Sequence, residues 1–359
     1  MDISCGSAGM QTRGKPMEHL VDENLIADLA DEAQKELMAF RERDRAKVLK
    51  DTVKKLCGRA VPERDPIFWP AGLLMLGLVE AGKTQVVKEY LQLWLQEGGQ
   101  VRYVDDALAG YVILRLYEAD GDPMWKEAAE HIWAFLRSAP TDEAGAIIYN
   151  PSRGNAWIYA DGCGQTSLFL SRYAKVFGTA EAADLARVQI GSFLNSGLDV
   201  RSGLPYHGYD AKSGLRYGII GWGRAVGWFL MGLAGYLSDR EDPEAAAAAR
   251  EMTDSVFSYL RRDRLFSWQL EALDGPLDTS ASGMIYWSAD RLCEAGVLKD
   301  FDRNLLADGA DALRRQINGG KVFGASAECT DFAQYRQEYG SYPWGQGAVL
   351  AFLAGLQVK

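Results

Sequence analysis

The sequence predicts an all-α fold: a closed ring of inner and outer helices, an α/α toroid of six hairpins. Three observations lead there. Six segments, at 69–82, 104–121, 160–178, 222–239, 279–296 and 343–356, are apolar on most sides, open on small or functional residues, and mostly stop near a glycine. Helices apolar all round are buried ones. Charged, amphipathic stretches at 84–97, 123–137, 180–194, 243–261 and 301–317 lie between them, and no strong strand run intervenes.

Along the chain, residues 1–20 read as a flexible leader that is polar and rich in small residues, and 21–359 read as a single domain. An amphipathic helical region at 21–57 precedes the first buried segment. Asp122-Pro123 and Asp242-Pro243 are N-cap and first-turn signals for the helices that follow. In 243–261, Met252, Val256, Tyr259 and Leu260 recur at helical spacing. Asp278-Thr279-Ser280 caps the fifth buried helix. Short hairpins are expected at 145–149 and 265–270. Such pairs must stack or close on one another to bury their apolar faces. The unit of roughly 60 residues exceeds common solenoid repeats, which favours a closed ring over an open α-solenoid.

Composition narrows the function. The chain has 359 residues, 48% of them hydrophobic, and a net charge of −10. No basic run suited to phosphates appears, so nucleic acid is not the expected partner. The five cysteines (Cys5, Cys57, Cys163, Cys293 and Cys329) form no CxxC pair, and there are three histidines, His19, His131 and His207. Neither a disulfide framework nor a metal centre is expected. No apolar run reaches membrane-span length, and the first residues lack a secretory apolar stretch, so a cytoplasmic location is expected.

The chemistry concentrates in two neighbouring blocks. Gly203-Leu204-Pro205-Tyr206-His207-Gly208-Tyr209-Asp210 is followed by Trp222-Gly223-Arg224-Ala225-Val226-Gly227-Trp228. Aromatic planes suit the apolar face of a sugar ring, and Arg offers a rigid fork to a carboxylate. An acidic sugar is therefore the expected ligand. In a toroid the inner-helix starts share one end, which gathers Asp105, Asp106, Asp161, His207, Trp222, Arg224, Asp278, Thr279, Ser280, Trp344 and Gln346.

Asp161 has two readings: a carboxyl entering an aromatic pocket, where it can donate and accept a proton, or a helix N-cap. For Asp105 and Asp106, one carboxyl can cap while its neighbour enters the cavity. His207, in a loop beside Tyr206, Tyr209 and Asp210, is either a ligand group or a structural hydrogen-bonder. No G-x-S-x-G elbow, P-loop or supported GxGxxG motif is present.

These two blocks, with Leu116-Tyr117-Glu118, Gly121-Asp122, Trp268-Gln269, the run from Asp278 to Met284, and Tyr342-Pro343-Trp344-Gly345-Gln346-Gly347, resemble the unsaturated rhamnogalacturonyl hydrolases of glycoside hydrolase family 105. They also resemble the related unsaturated glucuronyl hydrolases of family 88. The resemblance spans roughly residue 67 to the end. It departs at Ala225-Val226, where the family pattern has Gly-Asn, and after Asp161, where a methionine-rich run is absent.

The resemblance implies an (α/α)6 barrel that removes a terminal 4,5-unsaturated uronic acid from lyase-generated oligosaccharides. An Asp, here Asp161, protonates C4 of the C4=C5 bond and helps deliver water to C5. A second carboxylate maps onto Asp105 or Asp106. His207, Tyr206, Trp222, Arg224, Trp228, Thr279, Ser280, Trp344 and Gln346 are expected to bind substrate, with no metal or cofactor. A conventional uronidase using two carboxylates on the same barrel, or a non-catalytic helical sugar-binding protein, are the alternatives.

Overall fold

The computed structural model describes residues 22–42, 65–149, 151, 154, 156–329 and 334–357. The predicted leader at 1–20 and residues 43–57 of the helical region at 21–57 lie outside them, and the described part of that region forms the helix Glu23–Ala39.

Twelve α-helices form among the described residues, and they fall into two kinds by burial. The outer kind shows a stripe. In α3 (Thr84–Gln96) the buried positions are Val87, Tyr90, Leu91 and Trp94, the i, i+3, i+4, i+7 spacing of one helix face. The other outer helices are α1 (Glu23–Ala39), α5 (Pro123–Ser138), α7 (Ala180–Ser196), α9 (Pro243–Ser258) and α11 (Asn304–Arg314). The inner kind is buried all round. In α2 (Trp69–Glu80) every residue from Pro70 to Leu78 is buried. The others are α4 (Ala107–Asp120), α6 (Ala160–Phe177), α8 (Gly223–Asp239), α10 (Thr279–Glu294) and α12 (Pro343–Gln357). Each large apolar side chain so buried contributes about 1.5–3 kcal/mol.

Each inner helix packs on the next in chain order, and α12 packs back on α2, so the ring closes. Helix α1 covers the seam, touching both α2 and α12. This is an (α/α)6 barrel. The tightest crossing joins α6 and α8, where a Cβ on Gly232 would stand 2.6 Å from Gly164 Cα. Only glycine at both positions lets the backbones approach this closely.

The capping signals hold. Asp122 accepts from Met124 N–H, Asp242 accepts from Ala245 N–H, and proline opens each following helix. Helices α4 and α6 end on Gly121 and Gly178 at φ 68° and 67°, the left-handed C-cap.

The strands differ from expectation. The segments at 145–149 and 265–270 make isolated bridges, Thr141 with Ile147, Ser267 with Leu277 and Trp222 with Gln269. The regular pairing is a three-stranded antiparallel sheet of β1 (Trp157–Tyr159), β2 (Gly208–Asp210) and β3 (Arg216–Tyr217). Two-stranded ribbons follow: β4 (Ile317–Asn318) with β5 (Lys321–Val322), and β6 (Ala325–Ser326) with β7 (Tyr339–Gly340). Pieces this short carry too little periodicity to stand out in a sequence. Among the described residues, no helix is long and apolar enough to cross a membrane.

Candidate active site

Strand β1 runs directly into α6, and this places Asp161. Tyr159 is the N-cap residue and makes no side-chain capping bond, so Asp161 sits inside the first turn and does no capping. The cap reading of Asp161 therefore fails. Its side chain is 17% exposed, and Oδ2 lies 3.4 Å from His207 Nε2.

Sheet register brings His207 there. Tyr159 pairs with Gly208, and Ala160 N–H donates to the His207 carbonyl at 2.9 Å. The imidazole is stacked on Tyr159, with centroids 5.0 Å apart, and lies 4.6 Å from the Trp222 ring. Tyr335 completes the wall, 5.2 Å from Trp222 and 5.7 Å from Trp268. Its hydroxyl is 3.1 Å from His207 Nδ1 and accepts from Ile219 N–H at 3.2 Å. Trp222 Nε1 is buried with no hydrogen-bond partner. A buried indole N–H without an acceptor is a donor available to a ligand.

The adjacent acids at the start of α4 take opposite directions. Asp106 is fully buried, and its Oδ2 accepts from Arg102 N–H at 2.8 Å and Tyr103 N–H at 3.1 Å, the capping role. Asp105 is turned toward Tyr149, whose hydroxyl donates to it, and is close enough to Asp161 for their charges to interact. Burial, then the Asp65 charge, push the Asp105 carboxyl up to about 7. Burial and the neighbouring Asp65 and Asp105 hold Asp106 well above the usual carboxylate range. Four carboxyls from three stretches of chain thus crowd one end of the barrel, and desolvation raises those of Asp65, Asp105 and Asp106.

Arg224 lies against Trp222. Its guanidinium lies 4.7 Å from the Trp222 ring centroid and 5.6 Å from that of Trp344. It is only 2% exposed. Nη1 donates to Ser326 O at 2.7 Å and Ser326 Oγ at 2.5 Å, and Nη2 donates to Ala327 O at 2.8 Å. Asp278 lies 4.0 Å away. Nη1 and one N–H of Nη2 are therefore committed to strand β6 and the residue after it. Trp344 joins the same strand through Nε1–H to Ser326 O at 2.8 Å and stacks flat on Tyr342, 4.7 Å away.

Several expected binding residues lie elsewhere. Gln346 is fully buried, accepts from Val322 N–H, and donates to the Leu29 and Gly320 carbonyls at 2.9 and 2.8 Å. All its hydrogen-bonding atoms tie α12 to α1 and the β4–β5 ribbon, leaving none for substrate. Ser280 is fully buried and donates to Asp278 Oδ1, inside the helix cap that Asp278 makes with Ser280 N–H and Ala281 N–H. Trp228, nearly two turns into α8 from Trp222, is 1% exposed and packs edge-on against Trp69. The Tyr206 ring pairs with Arg216 at 6.0 Å. Thr279 is fully buried, with Oγ1 unpartnered.

Tyr149, Tyr159 and Tyr335 were not singled out from the sequence. Tyr159 had a signal: Trp157-Ile158-Tyr159 alternates immediately before Asp161, the pattern of a strand feeding a helix. Tyr149 is positioned by Gly162, where a Cβ would come within 2.6 Å of its ring. Tyr335 reaches His207 across 128 residues, and no local pattern announces that.

Rings that can stack on a pyranose, beside a carboxyl left free for proton transfer, are what a glycoside hydrolase requires, and this barrel builds that class of enzyme. The model of Glycosyl Hydrolase Family 88 matches residues 48–357, and the chain belongs to that family. It is similar to the unsaturated rhamnogalacturonyl hydrolase YesR of Bacillus subtilis (strain 168), 27% identical over 308 residues that cover 80% of this chain and 88% of that one. Among solved structures, a family 105 glycoside hydrolase of C. acetobutylicum ATCC 824 superposes with a TM-score of 0.69 at 18% identity, covering 88% of this chain and 100% of that one. The unsaturated glucuronyl hydrolase of Bacillus sp. GL1, responsible for glycosaminoglycan degradation, gives 0.63 at 16% identity, covering 79% and 84%. These likenesses agree with the barrel.

Proposed function

We propose that this enzyme removes a terminal 4,5-unsaturated uronic acid from oligosaccharides released by polysaccharide lyases, and that Asp161 is its proton donor. The carrying observation is the orientation of Asp161: a first-turn acid that caps nothing and faces His207 inside an aromatic wall. Family membership and the similarity to YesR support the substrate class.

In this reading the Asp161 carboxylic acid gives its proton to C4 as the C4=C5 π bond opens. Positive charge then develops at C5, stabilised by the ring oxygen. Water adds to C5 and returns a proton to the Asp161 carboxylate, which is regenerated as the acid. The resulting hemiketal opens and releases the aglycone. One carboxyl serves as acid and then as base, so the second acid of ordinary glycosidases is not needed. His207 and Trp222 orient the sugar ring. Asp105, nearest to Asp161 in its electrostatics, binds a substrate hydroxyl. Arg224 shapes the wall and lends positive potential to the substrate carboxylate without direct pairing.

The test is loss of the ultraviolet absorbance of the conjugated enol-ether acid on incubation with lyase-generated disaccharides, with the rhamnogalacturonan product tried first. Turnover of a saturated uronide instead would assign a conventional uronidase. Absence of both turnover and sugar binding would overturn the enzymatic reading.

A further inference from the structure

We propose that Tyr335 is a positioning residue that fixes the tautomer of His207 and, through it, selects which oxygen of Asp161 carries the catalytic proton. The inference rests on Asp161 being the proton donor. Three contacts form a line: Ile219 N–H to Tyr335 Oη at 3.2 Å, Tyr335 Oη to His207 Nδ1 at 3.1 Å, and His207 Nε2 to Asp161 Oδ2 at 3.4 Å.

The backbone N–H of Ile219 can only donate, so the Tyr335 oxygen accepts there. With the N–H on one lone pair, the hydroxyl proton is assigned to its other partner, His207 Nδ1. An imidazole nitrogen that accepts carries no proton, so in the neutral ring the proton sits on Nε2. Nε2–H faces Asp161 Oδ2. Burial pushes the Tyr335 hydroxyl above its usual range, so it remains a donor across the working pH of an enzyme.

The consequence lies at Asp161. Oδ2 makes no hydrogen bond as it stands and lies 3.4 Å from Nε2; an Nε2–H facing it disfavours a proton on Oδ2 and leaves the acid proton to Oδ1. With the opposite tautomer, the Nε2 lone pair would accept the acid proton and hold it on the imidazole side, away from the alkene. Tyr335 thus touches neither reacting atom, yet it determines whether the acid is aimed.

The surroundings enforce the line. Gly218, at φ +83°, precedes the donor residue, and a Cβ there would stand 2.5 Å from His207 Cβ and 2.6 Å from the Tyr335 hydroxyl. Both the left-handed backbone and the missing side chain are needed for the tyrosine to reach the imidazole. Tyr159 stacks on the His207 ring and Trp222 meets it edge-on, and these contacts restrain its rotation.

The experiment is nitrogen-15 NMR of the full chain labelled at histidine, paired with steady-state kinetics on an unsaturated disaccharide. His207→Gln identifies the His207 signals among the three histidines. The wild type is expected to show the neutral Nε2–H tautomer. Tyr335→Phe keeps the ring and the packing while removing the donor. It should give a mixture of tautomers, with kcat reduced about tenfold and KM within about twofold, as expected when one oriented hydrogen bond is lost.

Gly218→Ala, which displaces the hydroxyl without removing it, should reproduce the tautomer change, and thermal unfolding confirms that each variant is folded. An Nδ1–H tautomer in the wild type overturns the proposal. So does an unchanged tautomer in Tyr335→Phe, or a changed tautomer with unchanged kcat. If the wild type fails to turn over unsaturated uronides while Tyr335→Phe still shifts the tautomer, the proton-donor reading is overturned and the Tyr335–His207 assignment upheld.

Discussion

The two ends of the barrel are built from the same six inner helices and treat charge in opposite ways. At the end where these helices finish, cations meet carboxylates. Glu80 receives Arg291 at 2.7 Å and Arg115 at 3.2 Å, while Arg172 lies 3.2 Å from Glu118 and 2.9 Å from Asp239. At the end where they start, Asp65, Asp105, Asp106 and Asp161 face one another, and the nearby cation Arg224 is bound to main-chain carbonyls. The first arrangement holds the ring together. The second costs stability, and such costs concentrate where chemistry is done.

Breaking the contrast at the chemical end gives the largest effect. Asp161→Asn should lower kcat on an unsaturated disaccharide by about 10²–10⁴-fold, the range for loss of a general acid, with an unchanged circular dichroism spectrum. Rates within a few-fold of wild type would remove Asp161 from its role. At the opposite end, Glu80→Gln leaves Arg115 and Arg291 without their shared carboxylate. These pairs are partly exposed, so we expect about 2 kcal/mol loss in denaturant unfolding and little change in kcat.

The two ends also differ in their response to pH. A carboxyl whose folded pKa is raised stabilises the fold at low pH and loses that contribution as pH rises. For Asp105 this window runs from its ordinary value of 3.8 up to about 7. Asp105→Asn should therefore raise Tm relative to wild type more at about pH 8 than at about pH 5. An equal difference at both pH values would show that Asp105 is already charged at the lower one. The smallest effect is expected outside both ends. Lys126 and Glu130, 3.8 Å apart and about half exposed on α5, form a solvated pair, and Lys126→Ala should change stability by less than about 0.5 kcal/mol.

The ring itself was legible because all-round burial and one-sided burial leave different sequence patterns, and all six apolar segments became inner helices. The site was legible in part. Asp161, His207, Trp222 and Arg224 do converge, because residues at inner-helix starts must share one end. Direction around each helix was not legible. Gln346 begins α12 as Asp161 begins α6, yet one amide turns outward to α1 and the other side chain turns inward to the imidazole. Trp228 lies nearly two turns beyond Trp222 and is buried in the wall. The closure of Arg224 on Ser326 and Ala327 bridges about a hundred residues, and such long-range pairing has no local signature.

Gln346 also has a bearing on assembly. Its amide reaches Leu29, 317 positions earlier, and so clasps the first helix of the barrel to the last. Until α12 has left the ribosome, neither the seam nor the Trp344 side of the pocket exists, and the opening helices wait with an apolar flank uncovered. Such distant closure favours slow maturation. A nascent chain cut short before Pro343 would be inert, however complete its acids.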